Sequence, residues 1–63
     1  MLRDDLFNAA MAAEERASEH KAAADRFWFE FVQGNYRANL DYQAAMRAYI
    51  SDIKIRDYFL SKI

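Results

Sequence analysis

The sequence predicts an all-α fold, an antiparallel helical hairpin of two long helices, and three observations lead there. Glycine occurs once and proline never in 63 residues, so almost nothing interrupts helix formation. Apolar residues recur at alternating steps of four and three on both sides of that glycine. The glycine itself, Gly34, lies near the middle of the chain, where a reversal lays two halves of similar length side by side.

The first helix is expected over about residues 3–33. Asp4 and Asp5 stand in its first turn, where negative charge complements the positive end of the helix dipole. Leu6, Ala10, Ala13, Ala17, His20, Ala24, Phe27 and Phe31 form a heptad seam along it. Most of that seam is alanine, so a second helix is expected to approach closely. Phe7 and Trp28 flank opposite ends of the stripe.

The turn falls at Gly34-Asn35. Glycine tolerates the left-handed backbone that commonly ends a helix, and asparagine is a good cap for the next one. The second helix follows over about residues 36–61, with Tyr42, Met46, Tyr49, Ile53, Leu60 and Ile63 in four-three spacing and Arg56 interrupting. Ala45 and Ile50 widen the stripe to the width of a bundle helix. Near Ser51-Asp52 the pattern loosens, and Ile55 with Phe59 falls on a different face. A kink there is one explanation and a second partner the other; without Gly or Pro, a continuous helix is expected.

Residues 1–63 thus read as a single helical-hairpin domain. So short a chain buries only about 60% of the surface it exposes when unfolded. Small folds offset this with disulfides, a metal or oligomerisation, and there is no cysteine to supply the first. Hydrophobic residues make up 54% of the chain, which favours an ordered protein over a disordered one. Two helices cannot cover every side of Phe27-Trp28-Phe29-Glu30-Phe31-Val32, so a homodimer forming a four-helix bundle is expected. Its interface is assigned to Phe27, Trp28, Phe31 and Val32, facing Tyr42, Met46, Tyr49 and Ile53, with Phe59 on the further face. If Phe31 is core, its replacement by alanine costs about 3–5 kcal/mol.

Catalytic or ligand-binding patterns are absent. His20 is the only histidine, and metal-binding bundles pair a glutamate with a histidine three residues later. Here Ala17 and Arg16 hold the positions three and four before His20, so a partly buried, hydrogen-bonded histidine is expected instead. No nucleophile motif or phosphate-cradling glycine loop occurs, and a hairpin offers little concave volume, so neither enzyme activity nor a cofactor is expected. Lys21 with Asp25, Arg26 with Glu30, Arg37 with Asp41, and Asp52 with Arg56 are spaced as helix-surface ion pairs.

Formal net charge is −1 with both signs interspersed, which argues against a dedicated nucleic-acid or anionic-membrane surface. Arg37, Arg47 and Lys54 are the residues that would form a basic stripe on the second helix for RNA. The N-terminus has no signal-peptide pattern and no apolar run is long enough to span a bilayer, so a cytoplasmic protein is expected. The functional expectation is a small protein–protein interaction or assembly module acting as a self-associating bundle. The alternatives are an RNA-binding regulator using a basic helical face, and a subunit of a larger hetero-oligomeric assembly.

Overall fold

The computed structural model describes residues 2–63 and contains two helices packed antiparallel, with no strand among the described residues. Helix α1 runs over Arg3–Val32 and helix α2 over Ala38–Ser61. Thirty residues at about 1.5 Å each make a rod of roughly 45 Å, which accounts for the 48 × 13 × 11 Å envelope of the Cα trace.

The bend is built by backbone hydrogen bonds. The Asn35 N–H donates to the Glu30 carbonyl at 3.1 Å, and the Gly34 N–H donates to the Phe31 carbonyl at 3.0 Å. These two bonds, with Gly34 at φ 110°, form a Schellman motif that satisfies carbonyls otherwise orphaned at the end of α1. Glycine is needed here because a side chain at that φ crowds its own backbone. The expected asparagine cap does not form. The N-cap of α2 is Arg37 and makes no side-chain cap bond. Instead the N–H groups of Ala38, Asn39 and Leu40 donate to the carbonyls of Asn35, Tyr36 and Arg37 in tight turns, so regular helix begins at Ala38 rather than near residue 36.

The seam of α1 packs as its spacing predicts. Ala10, Ala13, Ala17 and Ala24 are buried, and Leu6, His20, Phe27 and Phe31 are partly covered along the same line. Helix α2 is continuous through Ser51-Asp52.

Its contact line is rotated from the expected one. The buried positions are Ala38, Ala45 and Asp52, with Tyr42, Tyr49, Arg56 and Phe59 partly covered between them. Met46 and Ile53 lie beside that line rather than on it, Leu60 is exposed, and Phe59 belongs to the seam instead of a separate face. The reason is size. Two alanine-lined helices approach closely, so the axis of contact selects small side chains and pushes Met46 and Ile53 to its edge.

Candidate functional site

Three features distinguish the surface of the hairpin. The first is an aromatic cluster at the bend. Trp28 lies 5.7 Å from Phe31 and 5.3 Å from Tyr42, measured between ring centroids. Phe31 meets Tyr36 edge-on at 6.2 Å. These tilted and edge-to-face contacts are the favoured ones for rings carrying a quadrupole, and Trp28–Tyr42 ties α1 to α2 near the turn. Trp28 nevertheless remains 49% exposed, so the cluster is covered on one side only.

The second is a polar link across mid-hairpin. Asp52 is the one buried charged residue among the described residues. The His20 ring nitrogen Nδ1 lies 2.7 Å from Asp52 Oδ2, and Arg16 Nε lies 3.5 Å from Asp52 Oδ1. A carboxylate accepts, so Nδ1 is the donor in the first of these bonds. The inward turn of Asp52 is explained by these two donors reaching it from α1. His20 is thus a partly covered, hydrogen-bonded histidine, as its place on the seam suggests.

Arg56, which interrupts the apolar pattern of α2, does not pair with Asp52. Its guanidinium donates to Glu14 at 2.5 Å on the facing helix and to Asp57 at 2.9 and 3.0 Å. The bond to Glu14, then that to Asp57, raises the affinity of Arg56 for its proton. Lys21 donates to Asp25 at 2.7 Å, which likewise raises the lysine above its ordinary value. Of the four expected surface pairs, only Lys21–Asp25 forms an ion pair among the described residues.

The third feature is an asymmetry between the two flanks of the hairpin. At 100° per residue, Glu14 and Arg16 fall on opposite sides of the α1 seam. Glu14 meets Arg56 on one side, whereas Arg16 meets Asp52 on the other. The Glu14 side carries Phe7, Met11, Trp28 and Val32 from α1, joined by Met46, Ile50, Ile53 and Leu60 from α2. Six of these eight are exposed large apolar residues, and Met46 and Ile53 are partly covered. The Arg16 side carries Ala12, Glu19, Arg26 and Glu30 opposite Ala44, Ala48 and Ser51, with Ile55 and Tyr58 as large apolar groups from α2. Phe29 and Leu40 lie on the outer backs of the two helices, away from both flanks.

The expected interface residues are therefore divided. Phe27, Phe31, Tyr42, Tyr49 and Phe59 are spent largely on contact between the two helices of one chain, while Trp28, Val32, Met46 and Ile53 sit on the apolar flank. Arg37 sits in the turn leading into α2. Arg47 and Lys54, with Leu40, line the outer back of α2, and all three cations are exposed. Phe7, Met11, Ile50 and Leu60 belong to the same flank but were missed as a group. Their signal lies in combining rows from two helices, which requires the register between them.

The described surface carries no pocket and no group of three metal-ligating side chains. No helix among the described residues is long and apolar enough to cross a membrane. No family model, no curated protein and no solved structure matches the chain.

Proposed function

We propose that this chain is a protein–protein interaction module that works by associating with itself, two hairpins forming a four-helix bundle. The observation that carries this reading is the contrast between its core and its surface. Among the described residues only alanines and one aspartate are buried, and no large side chain is fully so. Meanwhile one flank displays Trp28 at 49%, Val32 at 55% and Ile50 at 47% exposure.

The accessible surface is 4713 Å², against about 4,200 Å² for a compact monomer of 7.4 kDa. A two-helix layer has no third layer to cover it, and an exposed apolar flank rimmed by charge has the character of an association surface. Association would supply the burial that an alanine seam does not. A linked equilibrium of this kind makes thermal stability depend on chain concentration. The melting temperature is expected to rise as the chain is taken from micromolar to millimolar concentration; a melting temperature independent of concentration, with a monomeric mass throughout, rejects the reading.

A second reading, RNA binding, rests on Arg47 and Lys54 in line on the back of α2, where neither forms an ion pair among the described residues. It predicts binding that weakens steeply with salt and is lost on charge reversal at Arg37, Arg47 and Lys54.

A further inference from the structure

Resting on the self-association reading, we propose that a second copy packs end-for-end on the apolar flank. The twofold axis crosses α1 between Ala17 and Ser18 and passes α2 beside Ile53. Two rows of residues lead to this arrangement. On α1, positions at intervals of seven along the flank are Phe7, Glu14, Lys21 and Trp28. On α2 the corresponding row is Asn39, Met46, Ile53 and Leu60.

A copy turned end-for-end presents the α1 row in reverse. Phe7 then lies over Trp28 of the second copy, and Glu14 over Lys21 of the second copy. Aromatic meets aromatic and acid meets base, twice each by symmetry. The α2 row reversed sets Met46 over Leu60 of the second copy and Ile53 over its own equivalent. The α1 row is thus complementary to itself throughout, and the α2 row is so over Met46, Ile53 and Leu60, with Asn39 outside the pairing.

The rows also agree on where the axis lies. Within one hairpin Glu14 is level with Arg56, Trp28 with Tyr42, and both Arg16 and His20 reach Asp52. The midpoint between Glu14 and Lys21 is therefore level with Asp52 and Ile53, and an axis there pairs Ile53 with itself and Met46 with Leu60, apolar with apolar. One axis satisfies both helices.

The parallel alternative, with both bends at one end, fits poorly. It sets α1 over α2 at equal height, placing Ile53 between Glu14 and Lys21 of the second copy. That buries the Glu14–Arg56 and Lys21–Asp25 pairs under an apolar side chain, which desolvates their charges without adding a group of opposite sign. The end-for-end arrangement instead extends the Arg56–Glu14 and Lys21–Asp25 pairs, already on this flank, with groups of opposite sign. The extent also suffices. A face of 48 × 13 Å between Cα atoms covers about 600 Å² per copy before side chains widen it, so about 1,200 Å² in total, the lower bound for a stable interface.

The chain has no cysteine, so a single introduced thiol reports a single pair of positions. The test uses a short bis-maleimide on the full chain carrying Ile53→Cys, Ile50→Cys, Phe7→Cys or Ser51→Cys. Ile53→Cys and Ile50→Cys, beside the axis, are expected to cross-link into covalent dimers; Ile50 is more exposed and serves if Ile53→Cys impairs folding. Phe7→Cys alone is expected to stay uncross-linked, because the axis separates its two copies by about 30 Å, yet to cross-link when mixed with Trp28→Cys. Efficient linkage of Phe7→Cys to itself, or of Ser51→Cys on the opposite flank in place of Ile50→Cys, overturns the arrangement while leaving self-association standing. A monomeric mass for the unmodified chain at every concentration removes both.

Discussion

Enlarging one alanine of the seam tests the packing most sharply. Ala24 is fully buried, on the α1 face that meets α2. The Trp28–Tyr42 contact sets the heights, bringing Ala24 level with Ala45 and Met46, and Ala45 is also buried. Where small residues meet, Ala24→Leu adds three carbons with no void to receive them. The helices must separate or the new side chain must leave its rotamer, at about 1–3 kcal/mol. The control is Ala22→Leu, two residues away and exposed, where leucine changes helix propensity by only a few tenths of a kcal/mol. In a domain of this size each kcal/mol moves the melting temperature by about 4–8 °C. Thermal unfolding followed by circular dichroism at one fixed concentration is therefore expected to show Ala24→Leu clearly lower than Ala22→Leu. Equal melting temperatures for the two variants, or a stabilised Ala24→Leu, would refute the close alanine contact.

Other perturbations follow from the same contacts. Asp52→Ala removes a buried acceptor, but Arg16 and His20 are about half exposed and rehydrate, so a loss of about 1–2 kcal/mol is expected in denaturant titration. Arg16→Ala, which breaks only the longer and more exposed contact, should cost less than Asp52→Ala; the reverse order would contradict the link as described. At Gly34 an added Cβ meets nothing within 4 Å, so Gly34→Ala is disfavoured only by its φ of 110°. The expected cost is about 1–2 kcal/mol, and an unchanged melting temperature would place the bend elsewhere. Phe31→Ala is expected to cost about 2 kcal/mol rather than the full value of a core phenylalanine, because the ring is only partly covered.

The hairpin was legible because one glycine stands between two helical periodicities. Along α1 the seam could be read residue by residue, since its buried line and its apolar line coincide at Ala10, Ala13, Ala17 and Ala24. Along α2 they do not coincide. Periodicity favours the largest apolar residues, Met46, Ile53 and Leu60, whereas a close helix pair selects Ala38 and Ala45 for their size. Asp52 was harder still, because its burial depends on Arg16 and His20, 36 and 32 residues away in the chain. Local spacing suggested Arg56 as its partner, but Arg56 reaches Glu14 on the other helix instead. The apolar flank needed that cross-helix register as well. Only with Glu14 set against Arg56 do Phe7, Met11 and Trp28 line up beside Met46, Ile50 and Leu60.

Self-association is the claim on which the proposed function and the end-for-end arrangement depend, and solution mass tests it most directly. Light scattering over a concentration series of the unmodified chain is expected to give twice the 7.4 kDa chain mass at the upper end. The mass should fall toward one chain on dilution and stay monomeric when Ile53→Lys places a charge at the proposed axis. A folded chain that keeps a single-chain mass at every concentration would contradict the account.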